Sequence, residues 1–167
     1  IGMYEVTVAA PEGRTLITSG VETDRATANG RTTAAFAAKP SRDFVIVMAD
    51  SLESVTTEVD GTTITSWALP HHREGGEAVL EWTANTLRVF NPLLGEYPWL
   101  ELNGIEAVVY SAAAVELPQM FIMGSAFYTS WDPDEEMSFF EFTAAHEVVH
   151  MWFYSLVGNN QYTDAFI

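Results

Sequence analysis

From residue 1 to about residue 70 the chain alternates apolar and polar positions in period two. Tyr4-Glu5-Val6-Thr7-Val8 is the plainest case, a half-buried strand ended by the turn Pro11-Glu12-Gly13. Thr15 to Gly20 reads as a second strand and Arg31 to Ala38 as a third, the latter after Asn29-Gly30, a dipeptide that favours a two-residue hairpin turn. Phe44-Val45-Ile46-Val47-Met48 is an apolar run suited to a buried strand. Glu53 to Val59 and Thr62 to Leu69, joined by Asp60-Gly61, form a closing hairpin. Threonine recurs throughout, as expected of half-exposed strands.

The period then changes. Pro70-His71-His72 marks a boundary, and adjacent histidines point in different directions, so the pair reads as solvated linker residues. From Glu74 to Phe90 apolar Val79, Leu80, Trp82, Leu87 and Phe90 recur at helical spacing, and Asn91-Pro92 ends the pattern. Leu102 to Ala112 contains the β-branched Ile105, Val108 and Val109 and predicts a strand; Met120 to Met123 predicts another. From Asp134, a plausible N-cap, to Val157 no Gly or Pro interrupts the chain, and Gly158-Asn159-Asn160 reads as a stop, which predicts one long buried helix. The expected class is α+β, with an antiparallel β unit over 1–70 and an α+β unit over 71–167.

Composition narrows the function. A net charge of −16, from 23 acidic against 7 basic residues, argues against nucleic acid and anionic membrane surfaces as partners. No apolar run reaches the length of a membrane span. The last Lys or Arg is Arg88, so the chain beyond it carries no permanent cation and presents a negative field that suits a metal ion or an ammonium group. There is no cysteine, which removes disulfides and thiolate ligands. The opening Ile1-Gly2-Met3-Tyr4 carries no start methionine and no leader pattern and reads as a piece of a longer protein.

The long predicted helix carries His146-Glu147-Val148-Val149-His150. Residues four apart share a helix face, so both imidazoles can reach one metal ion. Glu147 follows the first ligand and is placed to take a proton from water at that metal. Burying three ionisable groups in an apolar helix is costly unless a metal compensates them, so zinc is the expected cofactor. A catalytic zinc site takes a third protein ligand; it lies upstream or beyond Ile167.

Several motifs occur together in the order found in one family. Glu116-Leu117-Pro118 ahead of Met120-Phe121-Ile122, then HEVVH, then Met151-Trp152-Phe153 resemble the gluzincin aminopeptidases, the aminopeptidase N family (peptidase family M-one). Leu94-Gly95-Glu96-Tyr97-Pro98 is similar to that family's Phe-Gly-x-Tyr-Pro segment, and Tyr162 to Ile167 to its approach to a zinc-binding glutamate, with Asp164 in register. The resemblance implies that 1–70 is the C-terminal part of an N-terminal β domain. It implies that 71–167 is the N-terminal part of a thermolysin-like catalytic domain, cut before the third ligand, a glutamate two places past Ile167.

It further implies zinc on His146 and His150, Glu147 as general base, and Glu116 binding the free N-terminus of a peptide substrate. The family's transition-state tyrosine has no counterpart in this chain, and a two-histidine site is expected to hold zinc weakly, with little activity in the isolated chain. The family's GxMEN motif stands here as Ala113-Ala114-Val115-Glu116-Leu117, so the glutamate is kept while the glycine and methionine are replaced. Alanine for glycine on a cleft strand bears on how closely a peptide backbone approaches. Two other readings of the residues stay open: a thermolysin-type endopeptidase, and a non-catalytic aminopeptidase-like binding scaffold.

Overall fold

A computed structural model of the chain describes residues 1–110, 112–135, 138–160 and 162–163. It contains ten strands and three α-helices among those residues. The first strands are β1 (Gly2–Pro11), β2 (Thr15–Thr18), β3 (Val21–Ala28), β4 (Arg31–Ser41) and β5 (Ile46–Ala49). β1, β4 and β3 make an antiparallel sheet in that order, and β2 pairs with β5. Asn29 and Gly30 both take positive φ, 54° and 71°, the paired left-handed turn that the dipeptide predicts. The strand β3 that precedes this turn was not legible, because Glu22, Asp24 and Arg25 leave it almost wholly exposed.

The second sheet is mixed. It has the order β6 (Glu53–Val59), β7 (Thr62–Ala68), β8 (Glu101–Ala107), β10 (Met120–Gly124), β9 (Ala114–Leu117). β7, β8 and β10 run parallel, while β6 and β9 are antiparallel edges. The hairpin β6–β7 thus joins the second sheet, ahead of the division expected at residue 70. The chain is of α+β class, with strands and helices in mixed sheets.

The crossover from β7 to β8 is a 3₁₀ turn (Pro70–His72) and α1 (Arg73–Leu94). The helix runs past Asn91 and carries Pro92 in its last turn. α2 (Ser125–Ser130) and α3 (Phe139–Val149) follow β10. Side-chain alternation divides the core into two layers. Ile64, Leu102, Phe121 and Met123 face α1 and α3, where they meet Val79, Leu87, Phe140, Ala144 and Val148. On the opposite face Ile105 and Met120 meet Ile17 of β2, Val45 and Val47. The β2–β5 pair and the Val45 that precedes β5 therefore cover the second face of the parallel strands.

His72 departs from the linker reading. Its Nδ1 lies 2.8 Å from Oε1 of Glu106, whose other oxygen accepts the Leu69 N–H at 2.9 Å. Glu106 is buried, so this pair anchors the start of α1 to β8. No helix among the described residues is long and apolar enough to cross a membrane.

Candidate metal centre

α3 begins where Ser138 accepts a hydrogen bond from the Glu141 N–H at 3.2 Å. Ser138-Phe139-Phe140-Glu141 has the spacing of a capping box, and it starts the helix four residues later than Asp134 would. The helix ends at Val149, not Val157, and His150 is its C-cap residue with φ −60° and ψ −14°. Its inward face is Phe140, Thr143, Ala144, Glu147 and Val148, the i, i+3, i+4, i+7, i+8 spacing of a core stripe. Glu147 sits on that stripe and keeps only 5% of its surface exposed. His146 and His150 lie one step around the helix, and His146 is exposed rather than buried. Phe139 and Phe142 are also exposed, at 65% and 63%, so the helix is not enclosed on all sides.

The two imidazoles converge. Nε2 of His146 lies 3.1 Å from Nε2 of His150. Two nitrogens bound tetrahedrally to one zinc ion at about 2.0–2.1 Å stand about 3.3 Å apart, so the pair is already spaced for a shared metal. Nδ1 of His150 lies 3.0 Å from the carbonyl oxygen of Phe153. A carbonyl only accepts, so Nδ1 carries the proton and Nε2 of the neutral ring presents its lone pair, as a metal ligand must. Partial burial, then the neighbouring His150, holds the His146 imidazole below the usual histidine range, while Glu116 pulls it upward.

Glu116 reaches the same place from the sheet. It pairs with Phe121 across β9 and β10, and directly opposed residues project from the same face. Phe121 faces the helices, so Glu116 does too. Its carboxylate, a Glu147 oxygen and a ring nitrogen of His150 all lie within 4.8 Å of one another. The edge strand is held at its turn by Gln119, whose Nε2 donates to the Ser19 carbonyl at 2.6 Å. Of the four residues expected at the site, Glu116, Glu147 and His150 are thus brought together, and His146 adjoins them through His150.

Glu147 is in electrostatic conflict. Its Oε2 is buried without a hydrogen-bond partner. Burial, and then the Glu116 charge, push its carboxyl from 4.5 up to about 7. An orphaned buried oxygen, a second carboxylate and the His150 ring nitrogen form a group that could hold a metal ion. The set is oxygen and nitrogen only, in keeping with a chain that has no cysteine.

Two supports were not legible in the sequence. The Phe153 carbonyl orients His150 through backbone geometry that no residue type announces. Arg42, from the loop after β4, places its guanidinium 4.8 Å from the centre of the Tyr154 ring and donates to the Asn159 carbonyl at 2.8 Å. A cation from the first β unit thereby reaches a stretch that has none of its own. The Leu94 to Pro98 segment also has a structural role: the Gly95 carbonyl accepts from the Trp152 indole at 2.9 Å, and Tyr97 packs edge-on against Trp152. The expected register of Asp164, and the helix start over Glu136 and Met137, lie outside the described residues. A scan against models of known protein families finds no match, and no curated protein matches the chain.

Proposed function

We propose that the chain belongs to a zinc peptidase that removes N-terminal residues from peptides, as its resemblance to the aminopeptidase N family implies. On this reading residues 71–167 are the first part of a thermolysin-like catalytic domain and residues 1–70 the end of an N-terminal β domain. The observation that carries the reading is the pair of imidazole nitrogens 3.1 Å apart beside a buried carboxylate with a free oxygen. His146 and His150 would hold the zinc, which when bound supplies Lewis acidity, polarising a carbonyl and making water a better acid.

Glu147 does the proton work. A carboxyl near pH 7 is matched to taking a proton from water and returning it to the leaving amine. Its unpartnered Oε2 is the atom left open for that proton. Glu116, half-buried on an edge strand, offers a negative charge to a substrate ammonium, and holding that ammonium fixes which bond is presented.

Peptidase assays on the longer, zinc-loaded peptidase to which the chain is proposed to belong test this with one peptide in two forms, N-terminus free and N-terminus acetylated. The free form is cleaved and the acetylated form is not. Glu147→Gln lowers kcat by about a thousandfold, the middle of the range for loss of a general base. Equal cleavage of both peptides favours an endopeptidase, and undiminished activity in Glu147→Gln rejects the assigned base.

A further inference from the structure

We propose that the cleft between β2 and the mixed sheet binds a neutral polyhydroxy ring, a single sugar residue, through Glu101, Asn103, Thr63 and Thr65. The cleft lies on the face of the sheet away from α3, so it is separate from the candidate metal centre and does not depend on the peptidase reading. Period two puts Glu101, Asn103 and Ile105 on one face of β8, and Thr63, Thr65 and Trp67 on the same face of β7. The register sets Glu101 opposite Thr63, Asn103 opposite Thr65 and Ile105 opposite Trp67. Ile105 packs with Ile17 of β2, and Trp67 packs against them. The four positions before that pair are polar, although a covered face of parallel strands is ordinarily apolar. They line a cleft of about 190 Å³, with Leu16 and Phe36 of the first β unit completing its walls.

Hydrogen bonds already made fix what these groups have left to offer. The Trp67 indole can only donate, and it donates to Oδ1 of Asn103 at 2.9 Å. That settles the amide: the two N–H donors of Nδ2 are left for the cleft, on a residue only 6% exposed. The Glu101 carboxylate makes no hydrogen bond or ion pair with a described residue. Burial, and then the Glu22 charge, raise its carboxyl from the ordinary glutamate value. Glu22 is itself occupied, since both its oxygens take Arg25, at 2.8 and 2.6 Å.

This set reads hydroxyl groups. A carboxylate accepts from O–H groups, an amide N–H donates to a hydroxyl oxygen, and a threonine hydroxyl does either. A cation would satisfy Glu101 but offer nothing to the donors of Asn103, and an anion would do the reverse. A ring that carries several hydroxyls satisfies both at once. Neighbouring strands stand about 4.8 Å apart and alternate residues about 6.7 Å apart, so the four side chains frame an area suited to one six-membered ring. The cleft is smaller than the about 300 Å³ at which pockets for drug-sized ligands begin, which fits one ring rather than an extended peptide. Trp67, Leu16 and Phe36 supply apolar contact for the ring's C–H groups.

NMR titration of the isotopically labelled chain tests the assignment, with glucose, galactose, mannose and xylose as probes and with tri-alanine and spermidine as controls. At least one sugar should shift the Trp67 indole N–H and the Asn103 side-chain amide saturably, with Kd on the order of 1 mM. Glu101→Gln keeps the shape and loses the charged acceptor, and it weakens binding by about tenfold or more, the share of a hydrogen bond to a charged group. Asn103→Asp keeps the acceptor for Trp67 and loses the donors, and it weakens binding by about as much. Circular dichroism checks that each variant is folded; if Asn103→Asp is not, Thr63→Val on the exposed end of the row replaces it and weakens binding by about threefold or more. A methyl glycoside that binds as well as the free sugar marks the end of a glycan as the source, and one that does not bind marks the free sugar.

No saturable shift with any of these sugars at about 50 mM, far above millimolar affinity, overturns the inference. Wild-type affinity in Glu101→Gln overturns it as well. Shifts of the same two resonances by spermidine or tri-alanine, with none from the sugars, assign the cleft to a cation or a peptide and overturn it too.

Discussion

Replacing Glu147 by Gln should stabilise the metal-free fold at neutral and alkaline pH. The fold pushes this carboxyl from 4.5 up to about 7, with burial the larger cause and Glu116 the smaller. A raised folded value means that the native state holds the proton more tightly than the unfolded chain. The linkage has a definite sign: below about pH 4.5 the carboxyl is protonated in both states and costs nothing extra. Between 4.5 and about 7 the unfolded chain ionises first, and stability falls. Above about pH 7 the loss is complete. Its ceiling is about 3 kcal/mol. Glu147 borders the exposed His146 and the half-exposed Glu116, so screening by solvent reduces this to about 1.5 kcal/mol. Glutamine has no proton to lose and does not carry that slope. Thermal unfolding followed by circular dichroism from pH 4 to pH 8.5, with chelator present, measures the difference between the two proteins. Titrations common to both cancel in that difference. The variant should gain about 3–6 °C relative to wild type as pH rises across the window. A difference that stays flat with pH, or that moves against the variant, refutes the claim that burial holds this carboxyl in conflict.

Other perturbations test the frame around the site. Gly104→Ala places a Cβ 2.7 Å from the Phe121 ring and 3.2 Å from Val79, and denaturant unfolding should show a loss of about 1–3 kcal/mol from overpacking. Glu106→Ala removes the acceptor of the Leu69 N–H at 2.9 Å and the partner of His72 at 2.8 Å. It should cost about 2–4 kcal/mol and raise hydrogen exchange first at the start of α1. Ser138→Ala deletes the N-cap of α3 and should cost about 1 kcal/mol, with Ser138→Asp restoring most of it.

The meeting of the two imidazoles was legible in the sequence because it depends on local spacing. His146 and His150 are four apart, and that interval alone brings the rings together once α3 forms. The two-residue turns at Asn29-Gly30 and Asp60-Gly61 were legible for the same reason: each needs positive φ at both residues, and 54° and 71°, then 51° and 81°, are what they take. The partner of the β6–β7 hairpin was not legible. Val59, Ile64 and Ala68 say that one face is covered but not by what, and the parallel pairing of β7 with β8 spans a whole helix. The bounds of α3 failed at both ends for different reasons. At the start, Ser138 accepts the Glu141 N–H and outranks the more obvious Asp134 after a proline. At the end, Met151 to Val157 keeps an apolar, uninterrupted composition, and tertiary contacts of Trp152 and Arg42 override it.

That early end has a chemical consequence. In a helix continued through Val157, the Phe153 carbonyl would accept the Val157 N–H. Here the Val157 N–H goes to the Trp152 carbonyl at 2.8 Å and the Tyr154 N–H to the Val157 carbonyl at 3.1 Å. The Phe153 carbonyl is released, and it accepts from the His150 ring instead. Tyr154 takes φ of 127° in this turn, an uncommon value for a residue with a side chain and a cost of about 1–3 kcal/mol. The strain is held by the buried Met151 and Trp152 on one side and by Arg42 on the other. What the distorted turn provides is a fixed tautomer: with Nδ1 protonated toward Phe153, His150 has only Nε2 to offer, and that nitrogen faces His146. The residues that follow the motif therefore act on His150 through the backbone, by ending its helix at the position where the second histidine needs an acceptor.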